Sequence, residues 1–257
     1  MKHISPVLFI ILLALLCCNA SAQSNARRHT NNQHAWFMYF GNHKFTNRLG
    51  WHAEVQLRRN DLLSNAQQLL LRTGLDYHLK NNGRLTAGYA FIETYPYGAF
   101  AVANAFPEHR IWQQFTTTQD FNRFKLSHRY RLEQRNIGNA STGEFKGGRF
   151  ENRVRYMAKG TYMLTPKWKR PLFAAAYDEV FVSFGKDVAY NIFDQNRLYG
   201  ALGIVISETM RIEAGYLHQL VQARTLDTQD SRIRMENNHT LQFALFSTAS
   251  FLKRQTD

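Results

Sequence analysis

The stretch "LSHRYRLEQR", which runs from Leu126 to Arg135, decides the fold class. Its charged residues stand at every second position: Arg129, Arg131, Glu133 and Arg135. On a helix these charges would spread over every face. On a strand, successive side chains point to opposite faces, so the charges collect on one face and the remaining residues on the other. The pattern therefore predicts a strand with one charged wall and one mostly apolar wall.

The N-terminal sequence "MKHISPVLFIILLALLCCNASAQS" has the three parts of a secretory signal peptide. Lys2 provides a basic start, Val7–Leu16 an apolar segment, and Ala20-Ser21-Ala22 a small-residue cleavage site. The apolar segment is too short to cross ~30 Å of hydrocarbon as a helix. We expect residues 1–22 to be removed during export. A lipoprotein signal that ends at Cys17 or Cys18 is the alternative.

The remaining chain, residues 23–257, contains no linker or low-complexity block and is predicted to form a single domain. The chain's two cysteines both lie in the predicted signal, so we expect no disulfide and no thiolate chemistry in the mature protein. A net charge of +13 is typical of proteins that bind nucleic acid. An exported protein does not meet nucleic acid by default, so acidic sugars, phosphates or an anionic membrane surface are the better partners.

The alternation seen in Leu126–Arg135 recurs along the chain. It is found in "WHAEVQLRR" from Trp51, "LLLRTGLDYHL" from Leu69, "ENRVRYM" from Glu151, "DQNRLYGALGIVI" from Asp194 and "HTLQFALFS" from His239. These segments exceed the usual five or six residues of a soluble strand. Long alternating strands behind a signal peptide predict an all-β fold, an antiparallel transmembrane β-barrel of 10–12 strands. A soluble β-sandwich or lipocalin-like barrel is the alternative, and it would bury its apolar face.

The connectors between the predicted strands alternate in length. Short ones lie near Asn81–Gly83, Gln119–Asn122, Thr165–Arg170 and Ser207–Met210, and longer ones at Pro96–Pro107, Asn136–Gly148, Gly185–Ile192 and Thr225–Met235. Outer-membrane barrels keep short turns in the periplasm and longer loops outside. We count ten strands between Leu49 and Ala249 and a short one at Trp36–Phe40. An even total would be ten or twelve, and the sequence leaves the parity open. Trp51, Tyr77, Tyr95 and Tyr162 are expected in interfacial aromatic girdles.

In such a barrel the charged wall faces the lumen. The predicted lumen-lining charged residues are Glu54, Arg58, Arg72, Glu108, Arg110, Arg129, Arg131, Glu133, Arg135, Glu151, Arg153, Arg155, Glu179, Arg197 and Glu213. Arginines outnumber glutamates in this set. One hypothesis is a salt-bridged polar plug that fills a narrow barrel, and the other is a pore that attracts anions.

Charge also predicts the register of one hairpin. If Arg135 lies opposite Glu151, then Glu133 lies opposite Arg153, and both pairs are favourable. The same register brings Arg131 opposite Arg155, a cationic position that Glu133 alone would not neutralise.

No catalytic or metal-binding constellation is predicted. Ser127 and His128 are adjacent, so on a strand they point to opposite faces, and the same holds for Asp178 and Glu179. The histidines His78, His109, His218 and His239 occur singly. No phosphate loop, zinc spacing or EF-hand loop is found. We therefore expect neither enzymatic activity nor a cofactor, and a lipid-modifying enzyme is the remaining alternative.

Seven blocks in this order resemble the bacterial outer-membrane barrel family catalogued as domain of unknown function 2490. They are "RTGLDYHL", "AGYAFIETYPYG", "PEHRIWQQF", "HRYRLEQR", "AAYDEVFVSFG", "FDQNRLYGALG" and "EAGYLHQL". The resemblance implies a barrel in the outer membrane of a Gram-negative bacterium, with membrane lipid and lipopolysaccharide as partners, but no activity. The expected function is passive passage or binding of small anionic solutes, with a plugged structural or adhesive barrel as the alternative.

Overall fold

The computed structural model describes residues 27–251, which form eleven long β-strands. They are β1 (Arg27–Lys44), β2 (Leu49–Asn60), β3 (Asn65–His78), β4 (Gly83–Thr94), β5 (Phe106–Phe121), β6 (Phe124–Ile137), β7 (Arg149–Met163), β8 (Leu172–Phe184), β9 (Phe193–Ser207), β10 (Met210–Leu226) and β11 (Ile233–Ser247). The predicted signal peptide, residues 1–22, lies outside the described residues. Within the described range, no helix is long and apolar enough to cross a membrane.

The strands form one closed barrel in which each strand pairs with its neighbour in sequence. These pairs are antiparallel, and closure comes from a parallel pairing of β1 with β11. The prediction of a barrel of 10–12 strands is confirmed. The sequence leaves the parity of the strand number open, and the structure gives an odd total of eleven, so the first and last strands run in the same direction.

The first strand is also longer than the predicted segment Trp36–Phe40, because it starts at Arg27. Residues 27–34 are polar on both faces, so they show no alternation between apolar and polar positions. Their strand conformation comes from pairing with β11, which begins at Arg27 opposite Ile233. A partner distant in sequence therefore decides this part of the fold.

The two faces of the barrel have opposite character. Leu75 and Leu202 on the outer face are 69% and 66% exposed, whereas the lumenal carboxylates Glu133 and Glu151 are fully enclosed. A soluble barrel would bury its leucines and expose its charges. The soluble alternative is therefore wrong for this chain, and the predicted sorting of the two faces is confirmed.

The two ends of the barrel differ as the connector lengths predict. At one end β3 turns into β4 through Asn81 and Asn82, which both have positive φ as a tight hairpin turn requires. The longer loops lie at the opposite end. One of them, Tyr95–Ala105 between β4 and β5, folds toward the lumen, and Tyr95 lines the internal cavity. The expectation that Tyr95 belongs to an outer aromatic girdle was wrong, because its loop turns inward.

Candidate functional site in the barrel lumen

The hairpin of β6 and β7 has the register that its charges predict. Arg135 pairs with Glu151, Glu133 with Arg153, and Arg131 with Arg155. Because these positions alternate with outward-facing residues such as Leu132, all six side chains point into the lumen. The two strands therefore carry a concentrated set of charges across one wall of the barrel.

Glu133 is the centre of the largest charge cluster. Its carboxylate oxygens lie 2.6 Å from Arg153 and 2.8 Å from Arg155. Three more arginines lie farther away: Arg110 at 3.2 Å, Arg72 at 3.6 Å and Arg131 at 3.8 Å. Glu133 has no solvent exposure. One fully buried carboxylate therefore holds five guanidinium groups from β3, β5, β6 and β7, which we call the Glu133 cluster.

The other lumenal carboxylates hold smaller groups of cations. Glu108 contacts Arg110 and Arg135, Glu151 contacts Arg135 and Arg149, Glu179 contacts Arg129 and Arg155, and Glu213 contacts Lys159, at distances from 2.6 to 3.5 Å. Glu54 accepts a hydrogen bond of 2.5 Å from Arg72. These ion pairs connect strands on much of the barrel wall, some adjacent and some separated by one or two strands.

Almost all of the predicted lumenal residues lie in the wall of one cavity of about 520 Å³. Fourteen of the fifteen line it, and Glu133 lies behind them, enclosed by its arginines. Counted over the described lining residues, the wall contains fourteen arginines and lysines against seven aspartates and glutamates. The Glu133 carboxylate adds one negative charge, so the lumen keeps a clear excess of positive charge.

Several charged lining residues were not predicted from the sequence. They are Arg84, Arg149, Lys159, Asp194, Arg211, Arg224 and Glu236. The alternation of β7 could have identified Lys159, which lies on the same face as Arg153 and Arg155. Asp194 could not be found in that way, because a register shift between β8 and β9 turns both Asp194 and its neighbour Gln195 inward. Asp194 accepts a 2.6 Å hydrogen bond from Arg153.

Three lumenal arginines are held mainly by glutamine instead of glutamate. Arg131 donates to Gln114 from Nε and Nη2 at 2.8 and 2.6 Å. Arg58 donates twice to Gln56 and once to Gln68, and Arg197 donates from Nε to Gln195. These four hydrogen bonds are 2.5 to 3.2 Å long. A glutamine oxygen orients a guanidinium without cancelling its charge. These positions therefore contribute to the unbalanced positive charge.

The β4–β5 loop covers part of the lumen at the loop end. Tyr97 packs edge-on against His34, with 5.6 Å between ring centroids, and its hydroxyl donates to Glu236 at 3.4 Å. Burial raises the pKa of Tyr97, so it stays a neutral donor. Phe100 lies under the Arg234 guanidinium, 4.8 Å from the ring centroid. The loop is thus fixed to the β1–β11 seam and narrows the entrance.

The residues considered for catalysis remain apart. His128 bonds to the Tyr156 hydroxyl on the outer face, at 2.9 Å, whereas Ser127 bonds to Thr118. His218 and His239 lie together on the outside beside Tyr216. His109 packs against aromatic rings on the outer face. His78 lies at an inward-facing position of β3. In residues 27–251, no group of three histidine, cysteine or acidic side chains is arranged to hold a metal ion.

Known proteins that are similar to this chain include one relative in sequence and two solved structures. An uncharacterized protein of Methylorubrum extorquens is 28% identical over 242 residues, which cover 92% of this chain and 96% of that protein. Two solved structures of OmpT from Vibrio cholerae, one outer-membrane expressed and one folded in vitro, align at 11% identity with TM-scores of 0.35 and 0.34. They match 74% and 72% of this chain, which covers 60% and 59% of their length. The model of the protein family of unknown function DUF2490 matches residues 33–230, and the chain belongs to that family.

Proposed function

We propose that this protein is an integral outer-membrane β-barrel that binds small anionic solutes in its lumen and lets them pass. The apolar outer face supports membrane insertion, because exposed leucines such as Leu75 and Leu202 are stable in hydrocarbon but not in water. Closure of the barrel also supports membrane insertion, since a closed barrel pairs every strand edge within the sheet. Export by a signal peptide, as the sequence predicts, would deliver the chain to the outer membrane.

Lipid and lipopolysaccharide are the proposed surroundings of the outer face. The turn between β7 and β8 exposes Trp168 between Lys167 and Lys169. Tryptophan prefers the membrane interface, and lysines beside it attract lipid phosphates. With the short turns in the periplasm, these residues would meet the inner leaflet, and the longer loops would meet lipopolysaccharide.

The excess of positive charge in the lumen carries the proposal of anion passage. Fourteen cationic side chains line the cavity against seven acidic ones. In a narrow channel, lining charge decides which ions enter, because an entering ion loses most of its hydration shell. Arg131 contributes strongly, since Gln114 orients it without neutralising it and the nearest Glu133 oxygen is 3.8 Å away.

Planar-bilayer recording of the purified protein tests this function. We expect discrete conductance steps and, in a potassium chloride gradient, a reversal potential of anion-selective sign. Arg131→Glu should shift the reversal potential toward cations, and the shift should be larger at low salt, because screening extends over about 8 Å at physiological ionic strength.

Arg149→Glu is the matched control, because Arg149 lies at the loop end of the lumen where solvent screens its charge. It should shift the potential less than Arg131→Glu. Cation preference of the wild-type channel, or equal shifts for the two variants, would contradict the proposal.

The Glu133 cluster favours a second candidate, a barrel whose lumen is permanently filled. Five guanidinium groups around one buried carboxylate form a crosslinked layer that reaches from β3 to β7. A barrel with a filled lumen would have a structural or adhesive function. Bilayers that stay silent, although the inserted protein is folded, would favour this candidate.

A further inference from the structure

Two arginines from distant strands meet at one tryptophan inside the barrel. Trp36 on β1 pairs with Arg58 on β2, and the Arg58 guanidinium lies 4.0 Å from the Trp36 ring centroid. The Arg197 guanidinium on β9 lies 5.1 Å from the same ring. The two positive groups are therefore no more than about 9 Å apart.

Neither guanidinium is neutralised by a carboxylate. Across residues 27–251, no acidic side chain lies within ion-pair distance of Arg58 or Arg197. Glu179 is the direct cross-strand partner of Arg197. Its carboxylate binds Arg129 at 2.6 Å and Arg155 at 2.8 Å instead, so Arg197 turns away toward Trp36.

Arg155 lies in the same region, but it is paired with Glu133 and Glu179. The guanidiniums of Arg155 and Arg197 lie 4.2 and 4.8 Å from the ring centroid of Phe181. Arg197 is only 8% exposed and Arg58 is half-buried. Buried charges in proteins are normally paired, because an isolated charge loses its hydration without compensation. A counter-anion between Arg58 and Arg197 would supply the missing partner.

We propose that Arg58 and Arg197 form a binding site for an oxyanion, the carboxylate or phosphate group of a small solute. This site rests on the proposed function and gives it a specific ligand chemistry. Gln195 accepts from Nε of Arg197 at 3.2 Å, and the two terminal nitrogens have no hydrogen-bond partner within residues 27–251. Their parallel N–H groups match two oxygens of one carboxylate or phosphate.

Arg58 is fixed more tightly than Arg197. Gln56 accepts from its Nε and Nη2 at 2.9 and 2.5 Å, and Gln68 accepts from its Nη1 at 2.6 Å. Each terminal nitrogen carries two hydrogens, so one on each stays available to a ligand. Because the glutamines hold Arg58 in place, an anion binds there with little loss of side-chain freedom.

Isothermal titration of the detergent-solubilised full chain tests the site with three probes at equal ionic strength: phosphate, acetate and chloride. We expect saturable binding of phosphate, acetate or both, and weaker binding of chloride. Preference between phosphate and acetate identifies the group that the site selects. Arg58→Gln with Arg197→Gln should weaken oxyanion binding at least about tenfold, since charge-assisted hydrogen bonds are lost.

Arg197→Lys sharpens the test, because it keeps the charge but removes the planar fork. It should weaken phosphate or acetate binding more than chloride binding, because only an oxyanion uses both arms of the fork. Arg149→Gln with Arg211→Gln is the matched control, since it removes the same charge at the two ends of the lumen, where Glu151 and Glu213 lie beside the changed residues. The control should bind the oxyanion as the wild type does.

Equal binding of all three probes, or equal losses in the double variant and its control, would overturn the site. Absence of oxyanion binding by a channel that still selects anions would overturn this site and leave the proposed function standing. Absence of both binding and conductance would count against both proposals.

Discussion

Glu133 on β6 lies directly opposite Arg153 on β7, and its Oε2 accepts hydrogen bonds from Nε and Nη2 of that arginine at 2.9 and 2.6 Å. This two-point contact fixes the relative position of the two strands. It also orients the second oxygen, Oε1, toward Arg155, Arg110, Arg72 and Arg131. The Glu133–Arg153 pair forms within one hairpin, and it anchors a cluster of side chains that come from four strands.

The stability of the barrel should depend on this anchor. Glu133→Gln leaves five guanidinium groups without their shared carboxylate, and we expect the free energy of unfolding to fall by about 3–5 kcal/mol, as for other broken buried ion pairs. The free energy of unfolding is measured by urea titration, with gel mobility reporting the fraction of folded protein. Glu144→Gln in the exposed β6–β7 loop is the control and should have little effect. Equal stability of the two variants would contradict a structural role for the cluster.

The outer face should tolerate charge less well than the lumen. Leu202→Arg places a guanidinium in the apolar band and should cost about 2–4 kcal/mol if the site lies near the bilayer midplane. Gln222→Arg, in the cavity wall near the loop end, should cost less, because water reaches that position. Unfolding of both variants in lipid vesicles gives the comparison. A larger loss for Gln222→Arg would reverse the assignment of the two faces.

The inward-folded β4–β5 loop should limit the current. Tyr97→Ala with Phe100→Ala removes the contacts to His34, Glu236 and Arg234, so the loop should leave the entrance and the conductance should rise. Phe145→Ala in the β6–β7 loop is the control, because Phe145 is exposed and does not line the cavity. Single-channel recording measures both variants. Unchanged conductance in the double variant would mean that the loop does not narrow the path.

The parallel seam can be tested by crosslinking. Gln33 and His239 are register partners on β1 and β11, and both are exposed. Because both native cysteines lie in the predicted signal, Gln33→Cys with His239→Cys should form one disulfide on oxidation. Gln33→Cys with Phe243→Cys, displaced by four residues or about 13 Å along β11, should not. Mass spectrometry distinguishes them, and a crosslink only in the displaced pair would disprove the eleven-strand closure.

The sequence by itself determined which face is apolar in the strands that alternate. Alternation is a local property with a period of two residues, so the inward direction of Arg131, Glu133 and Arg153 could be predicted without knowledge of their neighbours. The register of β6 and β7 could also be predicted, because it brings two opposite-charge pairs together, Arg135 with Glu151 and Glu133 with Arg153.

Only the tertiary structure decided which lumenal charges from non-adjacent strands are in contact. The seam between β1 and β11 joins segments about 200 residues apart, and no local pattern marks residues 27–34 as its partner. Likewise, Arg197 turns from its own cross-strand glutamate to Trp36, three strands away around the barrel. Such contacts depend on the curvature and closure of the whole sheet, because closure alone brings side chains from separate strands to the same point in the lumen.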